Sequence, residues 1–348
     1  MSYNIPFLSI MLTLVSGILV PLIRREGGAL RLIRGVQLGV AGLSALLLVR
    51  LSGAGASFSY PMGHIPAPWG NELRAGPLEA LLALTFSVVM LLSLSGGAED
   101  LRRDVRPDRQ GWYCLLMQLL FGALLAMVYT DDLFTGYVFV EIAAVTACIA
   151  VAAIRYLIFS CLGSGLVLLG IAMLYCITGQ LLFSGLEEAV ARLVQSGEYS
   201  LPLVVSALLM TLGLSIKSAQ FPFHAWLPDA HASATTASSA ILSGLVLKGY
   251  LVLLLKLILR VFGPALIVST YIDDLLFLLG LTGMLFASVA ALRQEEVKRM
   301  IAYSSSAQIS YIFLALGLGS EAGWTAACYQ ILAHAMTKSM IFVGAGEM

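Results

Sequence analysis

The sequence predicts an all-α, polytopic membrane protein with about eleven transmembrane helices, the seventh of them broken. Three observations carry that reading. Hydrophobic residues make up 59% of the chain and charged residues only 11%, against the roughly 25% charged content of an ordinary soluble domain. Apolar stretches near the ~20 residues that a helix needs to cross a bilayer recur along the whole chain. Between two of them, the run Lys217-Ser218-Ala219-Gln220-Phe221-Pro222-Phe223-His224-Ala225-Trp226-Leu227-Pro228 places a lysine and two prolines where a helix should continue. Each proline removes a backbone donor and clashes with the preceding turn. A helix broken at membrane depth is tolerated only inside protein or beside a water-filled cavity.

Taken in order, the first helix is Ile5 to Ile23; its arginines follow the apolar core and nothing positive precedes it, so it reads as a retained helix and not a cleaved signal. The second is Leu32 to Leu51. Ser52 to Arg74 is expected to lack regular structure, because Tyr60-Pro61-Met62-Gly63 and Pro66-Ala67-Pro68-Trp69-Gly70 are dense in proline and glycine. Pro77, at a tolerated first-turn position, opens helix three, which runs to Ser95. A polar loop, Gly96 to Gln110, leads to helix four, Gly111 to Tyr129. Asp131 and Asp132 bound helix five, Leu133 to Ala153, and Glu141 sits about two turns inside it. Arg155 is the only charge before helix six, Tyr156 to Thr178, so that connection is tight. Gly179 to Ser200 is amphipathic, with Leu186, Ala189, Val190 and Leu193 on one face and Glu187, Glu188 and Arg192 polar, as in a helix lying on the membrane surface. Helix seven is Leu201 to Ile216, ahead of the break. Helix eight is Ile241 to Leu259, nine Leu275 to Leu292, ten Met300 to Leu318, and eleven Trp324 to Ala345.

Twenty basic and twenty acidic residues cancel, so no basic surface is available for nucleic acid. The five cysteines lie in apolar runs without CxxC spacing and read as packing residues, so neither a cofactor nor a metal site is expected. An enzyme that itself oxidised quinol or hydrogen would need such ligands. With the amino terminus outside, the inner loops receive Arg24, Arg25, Arg31, Arg34, Arg102, Arg103, Arg106, Arg109, Arg155, Arg293, Lys298 and Arg299. The outer side keeps Arg50, Arg74, Arg192, Lys256 and Arg260. Twelve against five satisfies the positive-inside rule, with the amino terminus out and the carboxy terminus in.

Three basic residues, Lys217, Lys248 and Lys338, fit no loop. A charge at the bilayer centre costs ~2.5–3.5 kcal/mol on insertion scales, and such residues usually mark ion or proton paths; the alternative is that Lys217 and Lys248 snorkel to an interface. Glu141 is the one carboxylate well inside an apolar helix. Alone it would protonate, but opposite a lysine both can stay charged: at ~7 Å and an effective dielectric of ~20 the attraction is ~2.4 kcal/mol. Separating the pair would release the lysine's proton, which makes it a switch; a static pair pinning helix five to helix seven is the competing reading. His334 and Lys338, four residues apart, share a helix face and suit proton relay. His224 and His231 lie where the broken helix meets the inner side, and either carry protons or satisfy backbone groups.

Four motifs give a resemblance. Phe139-Val140-Glu141-Ile142 comes first, then Lys217 to His231 with Leu242-Ser243-Gly244-Leu245-Val246-Leu247-Lys248. Val297-Lys298-Arg299-Met300-Ile301-Ala302-Tyr303-Ser304-Ser305 and the run from His334 to Gly346 follow in order. Together they resemble the antiporter-like membrane subunits of respiratory complex I, Mrp-type cation/proton antiporters and membrane-bound energy-converting hydrogenases. The resemblance implies an inverted-repeat antiporter fold: residues 1–110 as preceding helices and loops, 111–260 as a first half, and 261–348 as part of a second half. It implies translocation of protons, or of sodium, with Glu141 as modulating carboxylate, Lys217 as carrier, Lys248 as connector, and His334 with Lys338 as central relay. It also implies other membrane subunits as partners, in a prokaryotic cell membrane. The family's subunit has about fourteen helices, and the eleventh here ends near Met348, so the chain reads as truncated or naturally split. Another polypeptide is then expected to cover helices ten and eleven, where Lys338 would otherwise face lipid. The alternative is a structural scaffold or non-conducting fragment of such a complex. Ala234-Thr235-Thr236 stands where many relatives carry proline, and the connection between helices five and six is shorter than the family's.

Overall fold

A computed structural model describes residues 2–23, 27–65, 70–151 and 154–346. In chain order the helices are α1 (Ile5–Leu19), α2 (Gly28–Ala54), α3 (Pro77–Gly96), α4 (Ala98–Asp104), α5 (Gln110–Tyr129), α6 (Leu133–Val151), α7 (Ile154–Thr178) and α8 (Phe183–Ser196). They continue with α9 (Ser200–Lys217), α10 (Trp226–Ser233), α11 (Thr236–Ile241), α12 (Leu247–Lys256), α13 (Gly263–Ser269), α14 (Ile272–Leu292), α15 (Val297–Leu316) and α16 (Glu321–Gly346). Among the described residues, nine helical runs are long and apolar enough to cross a membrane. Helices α15 and α16, at 20 and 26 residues, have spanning length but more polar composition.

Helices α11 and α12 form one continuous rod with π-helical turns at Leu242–Val246 and Leu257–Phe262, and α13 follows after Gly263 (φ 74°) leaves helical geometry. Every residue from Thr236 to Leu257 is buried, so this rod is the axis of the bundle. Helices α1, α2, α3 and α5 pack together on one side of it, α7 pairs with α9, and α14, α15 and α16 form a third group. Apolar burial supplies no drive between helices in lipid, so close approach depends on small residues and buried polar pairs. Both are abundant here: Ser9, Thr13, Ser16, Gln37 and Gln118 are buried between α1, α2 and α5, with Gln118 donating to Ser16 at 2.7 Å.

Two expectations need correction. Ser52 to Arg74 contains regular structure: β1 (Phe58–Pro61) pairs antiparallel with β2 (Glu72–Ala75), Phe58 opposite Ala75 and Pro61 opposite Glu72. The strands flank the proline-glycine cluster, and Pro61 stands last in its strand; residues 66–69 lie outside the described residues. Pro228, read as a helix breaker, instead sits in the first turn of α10, where a missing backbone donor costs little. The chain does leave helical geometry after Lys217: Ala219 is left-handed (φ 57°), the Phe221–Pro222 bond is cis, and a 3₁₀ turn at Phe223–Ala225 leads into α10. The amphipathic segment is the helix α8, burying Phe183, Leu186, Ala189 and Val190.

Candidate functional site

Lys217 ends α9 with its side chain wholly inside the protein. Its Nζ lies 3.1 Å from Glu141 Oε1 on α6 and donates to Ser160 Oγ on α7 at 3.0 Å. Ser164, one turn further along α7, donates to the same Glu141 oxygen. The Tyr250 ring of α12 lies 5.5 Å from the ammonium, and the Tyr250 and Tyr156 hydroxyls are 3.2 Å apart. The lysine thus sits among acceptors and an aromatic face. Glu141 is less enclosed, its side chain 34% exposed on the bundle surface. This is a direct ion pair, not the ~7 Å separation assumed from sequence.

The end of α9 is completed by the helices that follow it in sequence. Ser306 on α15 donates to the Ala219 carbonyl at 3.2 Å, and Ser310, one turn on, donates to Gln220 Oε1 at 3.2 Å. Gln220 Nε2 in turn donates to the Leu279 carbonyl of α14 at 2.7 Å. The Ala219 carbonyl, left open where the helix ends, therefore finds a partner inside the protein.

Lys248 is fully buried and donates to the Ser243 carbonyl at 2.5 Å. Ser243 belongs to the first π turn, where widened helical geometry leaves carbonyls open to side chains. Its own hydroxyl meets that of Ser305 at 2.9 Å, which ties the central rod to α15. On α16, Lys338 is 3% exposed and donates to Ser304 Oγ at 2.7 Å. Lys338 is thus largely covered by its own chain and lines a cleft of about 450 Å³ between α14, α15 and α16. His334 is buried, within electrostatic reach of both Lys248 and Lys338, and neither of its ring nitrogens has a hydrogen-bond partner. His231 is also buried without partners and stacks on Phe342 with ring centroids 4.3 Å apart. His224 stands apart, against Phe221 and Tyr303.

Sequence reasoning missed Ser160 and Ser304, which accept from Lys217 and Lys338, Ser164, which donates to Glu141, and the pair Ser306 and Ser310 that holds the break. Ser160/Ser164 and Ser306/Ser310 are spaced by four in apolar helices, a one-face signal present in the sequence. It also misplaced Lys256 among loop charges. Lys256 is 6% exposed within the central rod. Among the described residues no group of three or more potential ligands could hold a metal ion.

Residues 116–348 match the family model described as NADH:quinone oxidoreductase/Mrp antiporter, TM. The chain belongs to that family. It is 34% identical over 323 residues to NADH-quinone oxidoreductase subunit N of Desulforudis audaxviator (strain MP104C), covering 87% of this chain and 63% of that protein. Against NAD(P)H-quinone oxidoreductase subunit 5, chloroplastic, of Dioscorea elephantipes it is 30% identical over 286 residues, covering 78% of this chain and 37% of the relative. The chain thus spans under two thirds of the length of either relative. In three dimensions it superposes on a chain of the membrane-bound sulfane sulfur reductase, an archaeal respiratory membrane complex, with a TM-score of 0.86 and 28% identity over 99% of this chain and 71% of that one. A chain of the Mrp complex from Dietzia sp. DQ12-45-1b shares the fold, with a TM-score of 0.87 at 20% identity, over 99% and 64% of the two chains. This antiporter-type subunit is an integral membrane protein, as its apolar helices require.

Proposed function

We propose that this subunit translocates protons through a buried Glu/Lys/His path, as one membrane component of a multisubunit oxidoreductase or cation/proton antiporter. The observation that carries the reading is the Glu141–Lys217 contact: a lysine buried at the end of a spanning helix, 3.1 Å from a carboxylate. A carboxylate that can approach and leave a buried ammonium alters how firmly that ammonium holds its proton. Lys217 is the carrier and Glu141 its modulator. Lys248 connects to His334 and Lys338, which relay toward the second half, with His231 beside them. Residues 111–260 are read as the first antiporter half, 261–348 as part of the second, and 1–110 as the flanking helices. Membership in a larger assembly is supported by the relatives' names and by Glu141 itself, since a carboxylate 34% exposed in hydrocarbon calls for a neighbouring polypeptide or water. A further partner surface is the cleft bounded by α14, α15 and α16. The membrane is that of a prokaryotic cell.

Glu141→Gln tests the reading. The amide keeps a hydrogen bond to Ser164 but loses the charge that holds Lys217. In the reconstituted parent complex, driven proton uptake followed with an internal pH dye should fall about tenfold; an unchanged rate would dispose of the switch. The hairpin end of the bundle is assigned to the outside. Single cysteines at Arg103 and Gln195, both exposed positions, should therefore label from opposite faces in a background lacking the native cysteines, Arg103 only from within. Labelling of both from outside would reverse or break this topology.

A further inference from the structure

We propose that Lys256 is a positioning residue, a fixed positive charge that clamps the end of α5 to the central rod and thereby sets where α6 holds Glu141. The inference rests on the Glu141–Lys217 reading above and goes beyond it. Helix α5 stops at Tyr129, and its last carbonyls have no helical partner. Three carbonyls of this chain end converge on Lys256 Nζ: Met127 at 3.4 Å, Thr130 at 3.0 Å, and Val128. A lysine ammonium has three donors, and all three are taken. A cation at a helix C-terminus also meets the negative end of the helix dipole.

The same junction is gripped a second time. Arg260, in the π turn that follows Lys256, pairs with Asp131 at 2.5 Å, and Asp131 is 2% exposed. The Asp131 backbone donates to the Glu72 carbonyl of β2 at 2.9 Å and accepts from Phe183 of α8 at 2.8 Å. Asp132 then caps α6, its Oδ1 accepting from Thr135 N at 2.6 Å. Thus α5, α6, the hairpin and α8 all meet at Thr130–Asp132, and Lys256 and Arg260 fix that junction to the rod. From Leu133 to Glu141 is about 12 Å of unbroken helix, so a displaced junction displaces the carboxylate. The rod also carries Tyr250, the ring against Lys217, which places the clamp on both sides of the switch.

Lys256 is not itself a carrier. Along the rod between Lys248 and Lys256, the residues Leu251 to Leu255 are apolar and buried, which sets Lys256 apart from the relay around Lys248. The charged groups within electrostatic reach of Lys256 are Glu79, Asp131, Arg260 and Arg74.

Arginine separates clamp from carrier, because guanidinium donates hydrogen bonds but does not give up its proton. In the reconstituted parent complex, Lys256→Arg should keep at least about half of the driven proton movement, whereas Lys217→Arg should lose about 100-fold. Lys256→Met should lower proton movement about tenfold in the assembled fraction and displace its pH profile by about half a unit or more, since Glu141 is no longer held against Lys217. A Lys256→Met complex with the wild-type rate and pH profile would overturn the clamp. So would a Lys256→Arg complex that fails to assemble or loses transport as Lys217→Arg does. Normal transport by Lys217→Arg would instead remove the carrier reading, with Lys256→Arg against Lys256→Met still judging the clamp.

Discussion

Lys217→Ala is expected to lower coupled proton movement at least about 100-fold while the subunit still assembles. The two halves of that statement have separate causes. Transport falls because, among the described residues, Lys217 is the ionisable side chain paired with Glu141; the remaining close groups, Ser160, Ser164 and the Tyr250 ring, do not take up a proton at ordinary pH. Assembly survives because alanine is the best helix former and removes a buried charge instead of stranding one. Glu141, left without its partner, still accepts a hydrogen bond from Ser164 and is partly exposed. The contrast is with removing the carboxylate, which leaves an unpaired ammonium inside the protein, the costlier of the two deletions. Proteoliposomes holding the mutant parent complex, followed with an internal pH dye, give the answer. Uptake at the wild-type rate would mean that protons bypass Lys217.

Much of this site was legible because membrane chains suppress charge. Against an 11% charged background, a lysine that fits no loop is conspicuous, and Lys217, Lys248 and Lys338 are all buried in the structure. Burial of Lys256 was not legible by the same logic, since it stands near the end of an apolar stretch and counts as a loop charge unless one knows that α5 ends beside it. The π turns were illegible too: the first lies where Ser243 meets Ser305 of α15, a contact between distant segments, and no local composition marks Leu242–Val246. The hairpin was misread because proline and glycine density describes the residues between the strands and not the strands themselves. Most helix boundaries came within a few residues, as expected where the apolar run and the helix share the same physical cause; helix eight begins earlier, at Thr236, in a polar Thr-Ala-Ser-Ser run that hydropathy does not mark.

Gly213→Leu is expected to abolish the site without touching any ionisable residue. Helices α7 and α9 approach each other closely along two small-residue positions on each, seven apart: Gly163 and Gly170 on α7, Ser206 and Gly213 on α9. Ser206 Oγ donates to the Gly170 carbonyl at 2.7 Å. A Cβ at Gly213 would stand 2.5 Å from the Gly163 carbonyl oxygen and 2.6 Å from Val167 Cγ2, and one at Gly163 would meet the Gly213 oxygen at 2.8 Å and Lys217 Cγ at 3.0 Å. Backbone cannot step aside as a flexible side chain can, so a larger residue must part the helices. Parting them withdraws Ser160 and Ser164, both on α7, from Lys217 and Glu141. Overpacking of this kind costs about 1–3 kcal/mol, enough to cut the assembled yield several-fold. In whatever assembles, proton movement should fall at least about tenfold, because an ångström-scale misplacement is costly to a positioned reaction. Gly165→Ala is the control, on the same helix with nothing within 4 Å of the added carbon. Yield and thermal unfolding in detergent, together with dye-monitored uptake, separate the two. If Gly213→Leu matched Gly165→Ala in both, the close α7–α9 crossing would not be what holds the serines against the lysine.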